Sequence, residues 1–179
     1  MKDKGHELLA ASPVVRYANR NIMTEEIAEL NSLGYSCSIF NCINWQVEAD
    51  FHKDVAIALE FPHYYGRNLD AFKDCLFGVT TRSAAGVALA FYEWDNFAQA
   101  VPEDSWKILD VIAFVSRRLL VERFRFFALL HAPDTPFYSR RIGGNCIAKA
   151  HRERIEYGRT ALLNLKSKKT DDETDAIHD

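Results

Sequence analysis

The chain has 179 residues, 48% apolar and 26% charged, with a mean hydropathy of −0.20 and a formal net charge of −3. These proportions exclude wholesale disorder and a collagen-like or coiled-coil rod, and no apolar run reaches the ~18 residues of a membrane span. The first residues, MKDKGHELLAAS, lack the apolar centre of a signal peptide, so a cytoplasmic chain of one domain with appendages is expected.

Residues 1–22 show no clear period and read as a loosely held arm. Thr24-Glu25-Glu26-Ile27 reads as the opening of a helix, with Thr24 as its cap and two acids at the positive end of the dipole. Ile27, Leu30 and Leu33 share a face of it, and Gly34 supplies a left-handed stop. Tyr35 to Asn41 is predicted as a strand. Asp50 to Glu60 is predicted as a helix with Phe51, Val55 and Leu59 as its apolar stripe, ended by Pro62. After the loop His63-Tyr64-Tyr65-Gly66-Arg67, Asn68 is placed to cap a helix from Leu69 to Phe77 that Gly78 closes.

Val87 to Trp94 reads as a buried strand, Asp95 to Ala100 as a short helical turn, and Ser105 as the cap of a long helix from Trp106 to Glu122. Phe124 to Leu130 is a third strand. Strands separated by helical segments require parallel pairing, because parallel neighbours need crossover connections. The predicted class is therefore α/β: a small three-stranded parallel sheet with packed helices, plus an extra N-terminal helix and a C-terminal basic helix. That last helix is predicted from Asn145 to Lys166, with Ile147, His151, Ile155, Gly158, Leu162 and Leu165 along one side. Its narrow apolar stripe suits docking on the domain or pairing with a second copy of the chain. The predicted layout is an arm and helix over 1–34, an α/β domain over 35–130, a basic helical extension over 131–166 and a disordered acidic tail over 167–179.

The small net charge conceals an asymmetry: residues 41–116 carry −6, residues 117–169 carry +9, and residues 170–179 carry −5. An acidic module attracts a basic partner and repels nucleic acid, whereas the basic segment could do the reverse or fold against the acidic part. No RNA-binding signature accompanies Arg140, Arg141, Arg152, Arg154 and Arg159, so nucleic acid is not the expected partner. The six histidines are scattered and form no legible nucleophile–base pattern; His52 reads as a packed or surface residue, and no enzyme activity is expected. Cys37, Cys42, Cys75 and Cys146 match no zinc spacing and are expected to be reduced and structural, and no metal or cofactor is expected.

The informative stretch is residues 61–78, FPHYYGRNLDAFKDCLFG. Asp70 and Asp74 stand one turn apart on one helix face, a spacing that costs an isolated helix ~0.2–0.5 kcal/mol. The first turn's dipole offsets the cost at Asp70 more than at Asp74. Two carboxylates beside Tyr64 and Tyr65, with Gly66 free to take a positive φ, suit an interface that closes over a cationic partner. The same residues also fit a capped, solvated helix face with tyrosines packed beneath it.

This stretch resembles the signature of the barstar family, small intracellular inhibitors of secreted ribonucleases. The matching residues are Pro62, Tyr64-Tyr65-Gly66, Asn68-Leu69-Asp70-Ala71, Asp74-Cys75-Leu76 and Gly78. Asp50-Phe51-His52 resembles the family's first helix, and Glu93-Trp94 followed by Phe97 resembles its second strand and the start of the next helix. The resemblance implies a three-stranded parallel sheet and a loop and helix that plug a ribonuclease active site. It further implies an immunity protein for a basic partner, a toxin ribonuclease. Tyr64, Asn68, Asp70 and Asp74 are then the contact candidates with Tyr65 beside them, Gly66 and Gly78 shape the backbone, and Asp74 is the central anchor. Arg67 and Lys73 stand where the family's prototype has an acid and an aromatic residue, and Arg117 and Arg118 lie near the place of an acid. A module of this kind recruited to a non-nuclease protein, or RNA binding by the basic helix, are the competing readings.

Overall fold

The structure is a computed structural model that describes residues 4–83, 85–133, 141–142, 145–153 and 155. Its centre is a parallel sheet of strands β1 (Val14–Tyr17), β2 (Ser36–Asn41), β3 (Val87–Tyr92), β4 (Phe126–His131) and β7 (Ala148–Lys149), in the order β2-β3-β4-β1-β7. A two-residue ladder joins β5 (Arg141–Ile142) antiparallel to β6 (Asn145–Cys146). Every residue of β3 and β4 is buried, as a parallel sheet covered on both faces requires.

Alternation along the strands sends side chains into two cores. Leu89, Phe91, Phe126, Ala128 and Leu130 face one side, packed under α3 (Glu48–Ala58), α4 (Leu69–Phe77), α5 (Trp94–Ala100) and α6 (Pro102–Val121). Ala88, Ala90, Tyr92, Phe127 and Leu129 face the other, covered by α1 (Lys4–Ala11) and α2 (Arg20–Ser32). Three layers result, with α4 in the outer layer of the first face.

The three expected strands are β2, β3 and β4, each within two residues of its predicted start. The sheet has two more, and both come from segments expected to be something else. Residues 14–17 were expected in a loosely held arm; they instead form β1, whose Val14, Val15 and Tyr17 are almost completely buried. Pairing with β4 along four registered residues supplies the order that the local sequence does not. Residues 145–149, expected to open a helix, extend along β5 and β1 instead. The free edge of β1 offers a ladder, and Ile147 and Ala150 then drop into opposite cores. Helix begins again at His151, and residues 156–166 of the predicted basic helix and the whole tail 167–179 lie outside the described residues.

Helix boundaries shift for identifiable reasons. Asn19, not Thr24, caps α2: its Oδ1 accepts the N–H groups of Asn21 and Ile22 at 2.9 and 3.3 Å. The Asp50 carboxylate accepts from the backbone of Gln46 and Val47, at 2.8 and 3.1 Å, and so starts α3 at Glu48 rather than at Asp50. Pro102 opens α6, while Ser105 is buried within its first turn and donates to the Pro102 carbonyl at 2.9 Å. Gly34, at φ 87°, does make the left-handed stop after α2.

Candidate functional site

The loop from Phe61 to Asn68 and helix α4 form one exposed edge of the first layer. Helix α4 is fixed from below by Phe72 and Leu76, both fully buried, the former meeting Phe51 edge-on with ring centroids 4.9 Å apart. Each such side chain contributes ~1.5–3 kcal/mol through burial. At its start the Asn68 Oδ1 accepts the Ala71 N–H at 2.9 Å, and the Asn68 amide donates back to the Gly66 carbonyl at 3.3 Å. Asn68 therefore spends its side chain on shaping the loop.

The two tyrosines part company. Tyr64 is 76% exposed, with the His63 ring against it at 5.3 Å. Tyr65 turns inward, is 9% exposed, and packs on Phe61 at 4.9 Å. Its hydroxyl reaches Nδ1 of the buried His52 at 2.5 Å, and His52 Nε2 lies 3.1 Å from Glu48 Oε1. Burial holds the Tyr65 phenol well above its ordinary pKa, so it is a neutral donor. Of the alternatives open at the level of sequence, Tyr65 is thus the packed tyrosine and Tyr64 the available one. The His52–Glu48 support had only one sequence signal, an i, i+4 spacing on the helix before the loop.

Two backbone expectations are corrected here. Gly66 does not take a positive φ; Arg67 does, at 48°. Gly78 closes α4 as its C-cap, but in the right-handed region at φ −75°, ψ −12° rather than the left-handed one, and a 3₁₀ turn over Gly78–Thr81 follows directly. A side chain on Gly66 would meet the Asn68 amide at 3.2 Å, whereas one on Gly78 would meet nothing within 4 Å.

Asp70 and Asp74 both point outward from α4. They are not equivalent. The Asp70 carboxylate accepts from Lys73 Nζ at 2.9 Å, and that bond holds the Lys73 ammonium above its ordinary pKa. Asp74 makes no hydrogen bond or ion pair among the described residues. It stands at a groove of about 680 Å³ between α4 and the end of α3. Its walls include Pro62, Tyr64, Asp74, Cys75 and Gly78 and, at the end of α3, Glu60 and Arg82. Arg82 donates to the Leu59 and Ala58 carbonyls at 3.1 and 3.2 Å, capping α3 and fixing that wall.

A family model described as Barstar (barnase inhibitor) matches residues 36–131, more than half of the chain. The chain belongs to the barstar family. The barstar match begins at β2 and ends at β4, so β1, α1, α2 and β7 are additions around the barstar core that complete its sheet and cover its second face. No curated protein matches the sequence significantly. Barstars are an inhibitor family and not a family of enzymes. Among the described residues no helix is long and apolar enough to cross a membrane. Cys37, Cys42 and Cys75 are free thiols.

Proposed function

We propose that this protein is a cytoplasmic immunity protein that blocks the active site of a ribonuclease-type toxin with the Phe61–Asn68 loop and α4. The observation that carries the reading is the Asp74 carboxylate, outward-facing, without a hydrogen bond or ion pair among the described residues, and beside the exposed Tyr64. A ribonuclease cleft gathers cations to bind substrate phosphate. A carboxylate occupies the same place and accepts the same charge-assisted hydrogen bonds from arginine or lysine. Tyr64 supplies a rigid amphipathic ring at little entropic cost, and Asp70, one turn nearer the loop, sits at the same edge already paired with Lys73. Asn68 and Tyr65 hold the geometry from behind.

The deciding experiment is titration against a panel of purified toxin ribonucleases. For any enzyme that is bound, Asp74→Ala should weaken binding by at least about 2 kcal/mol while the unfolding midpoint stays in place. Glu7→Ala, an equal loss of charge on exposed α1 across the sheet, should leave binding unchanged. Equal effects of the two substitutions would refute the assignment of Asp74.

A further inference from the structure

The proposed binding edge is not an acidic surface. Over residues 61–78, Arg67 and Lys73 balance Asp70 and Asp74. The cations differ in what they do. Lys73 is spent on Asp70, which it neutralises at 2.9 Å. Arg67 is exposed and makes no hydrogen bond or ion pair among the described residues, and its left-handed backbone, φ 48°, sets it at the corner where the loop enters α4. From Asn68 to Asp74 the helix advances about 9 Å. The edge thus offers a bare cation at one end and a bare anion at the other, with a neutral pair between them.

Resting on the inhibitor reading above, we propose that Arg67 and Lys73 are specificity determinants that select a partner carrying an acidic group placed to meet Arg67 when a cation of the same partner meets Asp74. A uniformly cationic cleft that closed over Asp74 would bring its other charges toward Arg67, and in 0.1 M salt that repulsion acts over a screening length of about 10 Å. Like charges set face to face in a closing interface reject the wrong partner, and the rejection is strongest where water is expelled. Lys73 works in the same direction by withdrawing Asp70 from the partner's cations. Only a partner with an acid facing Arg67 turns the repulsion into a contact.

The test uses the full chain and barnase, the ribonuclease that the family's description names, as the probe. Arg67→Asp reverses the charge with a residue that tolerates the left-handed region, and Arg67→Asn removes the charge with another. Combined with Lys73→Ala, Arg67→Asp should tighten barnase binding about tenfold or more at low salt, with Arg67→Asn giving a smaller gain and both gains shrinking as salt is added. In a second arm, barnase randomised at its exposed cations is selected on the wild-type chain. It should return Asp or Glu at a position that the Arg67→Asp chain no longer tolerates. An unchanged or weaker barnase affinity in the charge-reversed chain, with Asp74→Ala still lowering it, overturns the specificity role and leaves the inhibitor reading standing. So does a selection that returns no acid. Absence of barnase binding by the wild type and by every variant overturns the specificity role, because removing the two cations then opens no route to a cationic cleft, while the panel titration decides the inhibitor reading separately.

Discussion

Nδ1 of His52 and the hydroxyl of Tyr65 lie 2.5 Å apart inside the core, 13 residues apart in sequence. With the other ring nitrogen donating to Glu48, Nδ1 is the acceptor and the tyrosine is the donor. This single contact decides which of two adjacent tyrosines becomes scaffold and which is left to meet a partner. It also ties the loop before α4 to α3, so that Tyr64 and Asp74 are presented from a fixed frame.

Tyr65→Phe therefore tests the frame directly. The ring keeps its packing on Phe61, but a buried imidazole nitrogen is left without its partner, which costs about 1–3 kcal/mol. Urea titration should show this loss with an unchanged m-value. His52→Ala should cost more, since it also removes ring contacts to Phe51 and Phe72 at 5.2 and 6.3 Å. A Tyr65→Phe protein as stable as the parent would mean that the hydroxyl holds nothing.

A non-glycine residue at φ 48° offers a second test. Holding an L-residue in the left-handed region costs roughly 1–2 kcal/mol, and glycine escapes that cost while losing more chain entropy on folding. The balance predicts that Arg67→Gly raises stability by up to about 1 kcal/mol. Gly66, whose backbone is ordinary here, should gain nothing from its flexibility: Gly66→Ala needs the Asn68 amide to yield only slightly from 3.2 Å. Chemical denaturation of the two variants compares them, and a destabilised Arg67→Gly protein would contradict the assignment of strain.

What the sequence disclosed and what it withheld follow from the range of the forces involved. Helix α4 was legible to the residue, since Asn68, the apolar spacing of Phe72 and Leu76, and the outward aspartates are all local signals. Strand β1 was not. Four residues flanked by Pro13 and Ala18, with Arg16 among them, have no local reason to be central; they become so only through β4, more than a hundred residues on. Even Arg16 finds its place through distant carbonyls, donating to those of Ala132 and Pro133. The opposite fates of Tyr64 and Tyr65 were hidden for a related reason, because the direction of a loop side chain is set by what waits for it. His52 waits for Tyr65, and no local pattern says so.

On the second face of the sheet, Lys4 of α1 meets Glu26 of α2 at 2.6 Å, with the glutamate side chain only 2% exposed. A buried carboxylate stripped of its partner costs far more than the intact pair contributes. Lys4→Met should therefore destabilise the protein by about 3–5 kcal/mol, whereas Lys4→Met combined with Glu26→Met should recover most of that loss. Thermal or urea unfolding of the three variants measures the coupling. Additive losses would show that α1 is not held by this contact.

The same groups set the response to alkali. Burial pushes the Cys37 thiol up to about 11, and burial also raises Cys42, Tyr17 and Tyr65 above their ordinary values. Burial works against the charge on Lys4, but the hydrogen bond and charge of Glu26 overcome it and raise that group too. Every shift is upward. The folded chain therefore keeps protons that the unfolded chain has already released, and unfolding becomes easier as pH rises. The stability from these groups is complete below their ordinary values and is lost as pH climbs through the higher folded ones, thiols first, then tyrosines and Lys4. Urea midpoints should hold steady from neutrality to about pH 8 and fall continuously above it. Cys37→Ala should flatten the beginning of that fall, and Lys4→Met the end of it. Midpoints that rose with pH over this range would show that these protons are not held by the fold.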